Sequence, residues 1–431
     1  MKLEKCITEA NINQNLLNIQ YAVRGPIVER AAQIEREIEK GASKPFQRVV
    51  RANIGDCHAL GQKPITFIRQ VLALAACPEL MSSPDIPEDV KERVRTILED
   101  CTEGSVGAYS PSNGLLLVRQ HVAQYLAARD GIPASPDDIH LGSGASDLIK
   151  SVLTLFVQDV DGKPPAVMIP IPQYPLFSGT LSELGLQQAN YYLDEDDHWA
   201  LQVEEMERSW KEASVDSHVR ALVVINPGNP TGQVLTRENI EEIVKFAYSH
   251  DLFIIADEVY QENIISKPFY SFKKVMHEMG TPYSSMELAS FVTCSKGWAA
   301  ECGLRAAFAE ILNLQPRVQG VFRAARAVMQ CPTVLGQCVV DCVGSMFAFP
   351  AIQIPQRAQD AAYENGMNPD EFYCLRLLED TGVCVVPGSG FGQRLGTFHF
   401  RTTILHPCEE FQHMMDSIRR FHLRFLETYS L

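Results

Sequence analysis

The sequence predicts an α/β protein in which a mostly parallel sheet is flanked by helices, followed by a smaller α+β domain. Between residues 137 and 296, short apolar segments alternate with amphipathic helical segments, as in VRALVVIN (219–226) followed by TRENIEEIVKFAYSHD (236–251). Strands that are apolar on both faces are typical of parallel sheets covered by helices. After residue 342 the order changes to short strands between two helical segments, which indicates the second domain.

Four helical segments precede the first predicted strand, at 27–41, 67–80, 86–101 and 113–131. Their apolar residues recur at helical spacing, and the first ends at Gly41, which fits a C-cap. We therefore expect three regions: residues 1–60 form an N-terminal arm and part of the small domain, 61–330 form the large domain, and 331–431 form the C-terminal small domain.

Composition narrows the function classes. The formal net charge of the 431 residues is −15, which argues against binding to nucleic acid or to an anionic membrane surface. None of the twelve cysteines forms a C-x-x-C pair, and no H-E-x-x-H motif is present, so we expect reduced thiols and no metal site. The first fifteen residues lack the apolar core of a signal peptide and the arginines of a mitochondrial presequence, which predicts a cytoplasmic protein.

Three short segments place polar side chains at the ends of predicted strands. They contain Asn229, then Asp257 with Tyr260, then Lys296, and Arg305 follows. A lysine can form a Schiff base, a carboxylate can hold a ring nitrogen protonated, and the remaining donors can hold a phenolic oxygen and a phosphate. The set predicts a pyridoxal 5′-phosphate site, because ligands of open α/β sheets bind at the carboxyl ends of the strands.

Two glycine-rich motifs are less specific. GSGAS (142–146) precedes a helix whose N-terminus could bind phosphate, although glycine and serine begin many helices only as caps. PGSGFG (387–392) resembles a dinucleotide fingerprint, but a predicted strand follows it where a helix is required. A nicotinamide-dependent dehydrogenase is therefore the weaker alternative.

Longer strings carry a family resemblance over nearly the whole chain. The sequence resembles the class I/II aminotransferases of fold type I, and in particular the alanine aminotransferase family. The matching strings are YAVRGPIVERA (21–31), GDCHALGQKPITFIRQVLAL (55–74), GAYSPSNG (107–114), IPIPQYPLFS (169–178), NPGNPTGQVLTRENI (226–240), YSFKKVMHEMG (270–280) and FYCLRLLEDTGVCVVPGSGFGQ (372–393).

The resemblance implies a role for each catalytic residue. Lys296 is the implied Schiff-base lysine and the base that moves the substrate proton, and Asp257 pairs with the pyridine nitrogen. Asn229 and Tyr260 are implied donors to the phenolic oxygen, and Tyr174 stacks on the ring.

The resemblance also implies a phosphate site, a substrate site and a dimer. The implied phosphate ligands are Gly144, Ala145, Ser146, Ser295 and Arg305. Tyr109 is implied to reach the phosphate of a neighbouring subunit, so we expect a homodimer with shared active sites. Arg401 is the implied clamp on the substrate α-carboxylate, with a further backbone contact from Gly55.

The implied reaction converts L-alanine and 2-oxoglutarate to pyruvate and L-glutamate in a ping-pong cycle. Two alternatives stay open: a transaminase that uses glyoxylate or another small amino acid, and a catalytically impaired variant of the alanine enzyme. The second arises because the family has several tens of residues between the segments matching 331–341 and 345–352, where this chain has only residues 342–344. In addition, alanines follow Lys296 where the family tends to have glycines.

Overall fold

The computed structural model describes residues 5–19, 26–50, 55–264, 267–343, 347–348, 352–387, 389, 396, 398, 400–403 and 408–430. These residues form two compact units. The first comprises Met1–Ala76 and Ile97–Asp341, and the second comprises Cys77–Thr96 and Cys342–Leu431. The domain limits expected from the sequence stay a prediction.

The first unit is built on a seven-stranded sheet in the order β1-β7-β6-β5-β4-β2-β3. Strands β2 to β6 pair in parallel, whereas β7 is antiparallel to both β6 and β1. The sheet is therefore mostly parallel, as the sequence predicts. The strands are β1 (Ile139–Gly142), β2 (Pro165–Ile171), β3 (Gln187–Tyr192), β4 (His218–Ile225), β5 (Phe253–Asp257), β6 (Leu288–Thr293) and β7 (Ala307–Leu312).

Helices cover both faces of this sheet. Along β4, Leu222 and Val224 belong to one buried apolar cluster, whereas Val223 and Ile225 belong to another, because successive side chains of a strand point to opposite faces. From the start of the chain to Val343, the helices are α1 (Gln14–Leu17), α2 (Pro26–Glu39), α3 (Thr66–Ala76), α4 (Glu88–Asp100), α5 (Leu116–Asp130), α6 (Ala145–Leu153), α7 (Leu176–Leu184), α8 (Val203–Asp216), α9 (Arg237–Ser249), α10 (Phe272–Met279), α11 (Pro316–Ala327) and α12 (Val334–Val343). Residues 88–96 of α4 and 342–343 of α12 belong to the second unit.

One predicted helix is too long. The segment 67–80 was expected to be continuous, but α3 ends at Ala76 and a short 3₁₀ helix, Pro78–Ser82, follows it. Pro78 causes the break, since it lacks a backbone N–H and disfavours helical geometry at the residue before it. Cys77 is accordingly not helical, with φ −139° and ψ 80°.

The second unit has a three-stranded antiparallel sheet in the order β8-β10-β9, formed by Phe347–Ala348, Phe400–Thr403 and Val386–Pro387. Three helices accompany it: α13 (Gln356–Glu364), α14 (Pro369–Thr381) and α15 (Cys408–Ser430). The core of this unit centres on the fully buried Tyr373, against which Phe421 and Phe425 pack edge-on. The predicted α+β character is confirmed.

A buried ion pair connects α10 to β7. The Nζ atom of Lys273 lies 2.6 Å from Oε1 of Glu310, and only 7% and 1% of the two side chains are exposed. We expect Glu310→Leu to lower the free energy of unfolding by about 3–5 kcal/mol, because it leaves the Lys273 charge buried without its partner. Chemical denaturation measures the loss, with Lys273→Met/Glu310→Leu as the matched control. The expectation fails if the single and the double variant lose the same stability.

Candidate functional site

The candidate residues lie together at one edge of the sheet in the first unit, the edge formed by the carboxyl ends of its parallel strands. Strands β1, β4, β5 and β6 end at this edge, and β7 begins there because it runs antiparallel to them. Asp257 is the last residue of β5 and lies opposite Ile225 of β4 and Phe291 of β6. Asn229 and Lys296 follow those two strands, and Arg305 precedes β7. The edge therefore carries an amide, a carboxylate, an amine and a guanidinium.

An anion-binding cradle forms where α6 begins. Arg305 donates from Nη1 to the Ser295 hydroxyl at 3.2 Å and from Nη2 to the Ser143 carbonyl at 3.4 Å. Gly144 has φ +93°, which is strained for any other residue, and a Cβ atom there would displace the guanidinium of Arg305. The free N–H groups of Ala145 and the half-buried Ser146 begin the helix beside this cation. A helix N-terminus next to an arginine is suited to phosphate.

Lys296 lies beside two other predicted residues. Its Nζ atom donates a hydrogen bond to the carbonyl oxygen of Gly55 at 3.2 Å. The same atom lies 5.4 Å from the ring centroid of Tyr260. The structure thus brings Lys296, Gly55 and Tyr260 together, with the lysine half-buried.

Asp257 is a buried carboxyl group. It is 3% exposed, and its Oδ1 atom accepts a hydrogen bond from the Val259 N–H at 3.3 Å. Burial raises its pKa to about 6, because the carboxylate loses its hydration. A buried carboxylate that is costly to keep charged gains from a cationic partner such as a protonated ring nitrogen.

The loop after β4 is held by a residue that sequence reasoning did not single out. Asn226 is fully buried, and its Oδ1 accepts a hydrogen bond from the Leu235 N–H at 3.0 Å. This bond closes the loop that contains the half-buried Asn229. Tyr174, which follows β2, packs against the apolar cluster that contains Phe177.

Tyr109 and Arg401 are the other two residues predicted for the site. Tyr109 is 75% exposed in the segment before α5, where its carbonyl accepts a hydrogen bond from the Thr102 hydroxyl at 3.4 Å. Arg401 belongs to β10 of the second unit, opposite Val386, and its side chain lies outside the described residues. The roles of Tyr109 and Arg401 stay predictions.

Sequence reasoning also missed the residues that hold the loop carrying Lys296. Glu301 is 2% exposed and forms an ion pair with Arg69, whose Nη2 lies 2.8 Å from Oε2. Asn263 accepts a hydrogen bond from the Gly297 N–H at 3.0 Å. Ala300 has φ +49°, a geometry that costs a non-glycine residue about 1–2 kcal/mol, where the resemblance leads one to expect glycine. Glu301 could have been identified from the sequence, because it is an acidic residue within an alanine-rich segment.

Comparison with known proteins identifies the family. The model of the aminotransferase class I and II family matches residues 78–341. Human alanine aminotransferase 1 is 46% identical and aligns with 99% of this chain and 96% of its own length. The probable mitochondrial alanine aminotransferase of Dictyostelium discoideum is 39% identical, over 100% of this chain and 91% of its own. An Escherichia coli aminotransferase structure at 20% identity, with a TM-score of 0.60, covers 97% of this chain and 99% of its own and supports the fold.

The comparison also bears on the short junction. The human alignment spans 478 positions whereas this chain has 431 residues, so at least 47 positions have no residue in this chain. Asp341, Cys342 and Val343 are the last residues of α12, and Gly344 and Ser345 lie outside the described residues. Where the missing positions fall stays a prediction.

None of the helices among the described residues combines the length and the apolar character needed to span a membrane.

Three findings point to the same family. They are the family model, the identities over almost the full length, and the presence of the cradle, the lysine and the buried acid at one edge of the sheet. The chain belongs to the class I and II aminotransferases, and within them to the alanine aminotransferase family, and is an aminotransferase enzyme.

Proposed function

We propose that this enzyme transfers the amino group of L-alanine to 2-oxoglutarate, giving pyruvate and L-glutamate, with pyridoxal 5′-phosphate as its cofactor. The observation that carries the proposal is the cradle of Gly144, Ser295 and Arg305 at the same sheet edge as Lys296 and Asp257. The choice of alanine is supported by the names of the relatives that are 39–46% identical.

The residues present fit this cofactor. A Cβ atom at Gly144 would fill the cradle, and the cation of Arg305 with the helix N-terminus matches the charge of a phosphate. Asp257 is the partner for the ring nitrogen, and Asn229 with Tyr260 would donate to the phenolic oxygen. When bound, the cofactor supplies an electron sink for the negative charge that develops on the substrate α-carbon.

Lys296 is the residue that attaches the cofactor and carries the proton at the substrate α-carbon. Its hydrogen bond to the Gly55 carbonyl holds the amine in the site, and the Tyr260 ring lies on one side of it. Gly55 would then contact the substrate carboxylate through its backbone. Arg401 would clamp that carboxylate with two hydrogen bonds, a geometry that guanidinium provides and ammonium does not.

We further propose that the enzyme is a homodimer in which Tyr109 of each subunit reaches the phosphate bound by the other. The 75% exposure of this tyrosine supports the proposal, since a side chain that serves a neighbour has to project from its own subunit. A cytoplasmic location is also proposed, while the Dictyostelium relative has a mitochondrial name. Cell fractionation tests the location.

One observation favours a second candidate, an impaired variant of the alanine enzyme. The alignment with the human relative spans 478 positions, whereas this chain has 431 residues. At least 47 of those positions therefore have no residue in this chain. All the side chains proposed for the chemistry are nevertheless present, so loss of activity would come from their positions and not from their identity. A displacement of about 1 Å can cost on the order of a hundredfold in rate.

The reaction is tested with the cofactor-loaded protein and L-alanine alone. We expect one pyruvate per active site without 2-oxoglutarate and continuous pyruvate formation with it, since pyruvate leaves first and the enzyme keeps the amino group until 2-oxoglutarate accepts it. Lys296→Ala is expected to form no pyruvate and to retain no cofactor covalently after borohydride reduction. If the wild-type protein loads cofactor yet releases no pyruvate, the impaired variant is favoured. Continuous pyruvate formation from L-alanine with glyoxylate, but not with 2-oxoglutarate, favours a different acceptor.

Asp257 makes the stability of the cofactor-free protein depend on pH. Its pKa of about 6 lies above the ordinary value of 3.8, so the folded state holds the proton more tightly and its stability falls as pH rises from about 4 to about 6. We expect cofactor-free Asp257→Asn to be more stable than the wild type at pH 7 by about 1–3 kcal/mol, with the difference shrinking towards pH 4. Denaturation at a series of pH values measures this. A difference that does not change with pH contradicts the buried charge.

Arg401→Lys is expected to raise the KM for both L-alanine and 2-oxoglutarate by about tenfold or more, because both carry an α-carboxylate and lysine cannot bind it through two parallel hydrogen bonds. The absorption spectrum of the bound cofactor should stay as in the wild type. Steady-state kinetics with each substrate varied in turn provide the measurement. Unchanged KM values for both substrates would remove Arg401 from the substrate site.

A further inference from the structure

A cavity lies at the edge of the sheet opposite to Lys296, where the amino ends of the parallel strands are found. Strands β4, β5 and β6 begin there, and the cavity encloses about 1710 Å³, including the solvent at its mouth. Arg220 near the start of β4, Phe253 at the start of β5 and Glu287 directly before β6 all line it. All the lining residues belong to the first unit.

Arg220 is directed towards this cavity by an irregularity in the sheet. Ala166 of β2 lies opposite Val219 and Val167 lies opposite Ala221, so Arg220 is an extra residue with no partner in β2. Such bulges re-aim the side chain of the extra residue. The guanidinium lies over the ring of Phe156, 5.4 Å from its centroid, and has no hydrogen bond to any described residue. Its donors are therefore available to a ligand.

Glu287 supplies the opposite charge without closing an ion pair with Arg220. The strand β5 separates the two residues, and adjacent strands lie about 4.8 Å apart, which places their backbones about 10 Å from each other. Partial burial raises the pKa of the Glu287 carboxyl, and the Arg220 charge acts against this rise. The cavity thus has a cation and an anion on its two sides, and neither forms an ion pair within the part of the chain that the structure describes.

The rest of the lining restricts the ligand. The other strong cation, Lys163, already donates to the Ser214 carbonyl at 2.6 Å, whereas Asp161 and Asp251 add two carboxylates. A cavity without excess positive charge disfavours phosphates and dicarboxylates. Between the charged groups the surface is apolar, formed by Phe253, Leu314 and Val318 among others.

We propose that this cavity binds a free α-amino acid with an apolar side chain, whose carboxylate pairs with Arg220 and whose ammonium group pairs with Glu287. The side chain of the ligand lies on the apolar surface that includes Phe253 and Leu314. A zwitterion is the ligand class that satisfies two separated, opposite charges together. This site is distinct from the proposed catalytic one, because it occupies the other end of the strands.

The test titrates L-leucine into the cofactor-loaded enzyme by calorimetry. L-leucinamide, which lacks the carboxylate, and 4-methylpentanoate, which lacks the ammonium group, are the matched ligands. We expect L-leucine to bind in the millimolar range and each analogue to bind about tenfold more weakly or worse. Absence of saturable L-leucine binding, or equal binding of either analogue, overturns the proposal.

Matched variants separate the cavity from the catalytic edge. Arg220→Gln and Glu287→Gln should each weaken L-leucine binding by about tenfold or more, whereas Arg36→Gln, at an exposed arginine of α2, should not. Lys296→Ala should retain binding that depends on Arg220. If Lys296→Ala loses the binding and Arg220→Gln keeps it, the ligand occupies the catalytic site and the proposal is wrong. Melting temperatures check that each variant is folded, and the exchange Arg220→Glu/Glu287→Arg should recover binding with the ligand reversed.

Discussion

The direction of the strands is the constraint on which the candidate active site depends. Because β7 runs against its two neighbours, the chain that leaves β6 returns to the same edge, and Arg305 comes back beside the start of α6. The close approach of Arg305 to Gly144 follows from this return, and a side chain at residue 144 would push the guanidinium out of place. Lys296 lies within the same connection, and so its position and that of the cradle are set together.

Buried charges in this protein have two different energetic roles. The buried acids Glu310 and Glu301 each have a cation at 2.6–2.8 Å, the buried Lys273 and the partly exposed Arg69, and these ion pairs hold α10 and the Lys296 loop in place. Asp257 has no such partner among the described residues, and its raised pKa shows the cost of keeping it charged. A buried acid without a cationic partner lowers the stability of the folded protein, and a cationic ligand that pairs with it removes this cost. Functional sites often combine lower stability with stronger binding in this way.

The two edges of one sheet offer different chemistry. The carboxyl edge combines the amide groups of a helix N-terminus, a lysine and an arginine, and it suits a phosphorylated cofactor. At the amino edge, a bulge frees Arg220 from the ladder while Glu287 stays two strands away. A regular strand pairing at Arg220 would have directed its side chain along the alternation of β4. The bulge therefore creates a candidate site that the alternating pattern of the strand sequence does not predict.

The sequence by itself determined the fold class and the order of strands and helices along the chain, and it supplied most of the residues proposed for the cofactor site. The secondary structure of an apolar segment can be predicted from its own residues. Asn229 and Lys296 each follow such a segment, and Asp257 ends one. Local signals could not reveal the antiparallel course of β7, the close approach of Gly144 to Arg305, or the ion pair of Arg69 with Glu301, whose partners are 232 residues apart. Those features depend on which strands become neighbours, and that choice is made by the packing of the whole core.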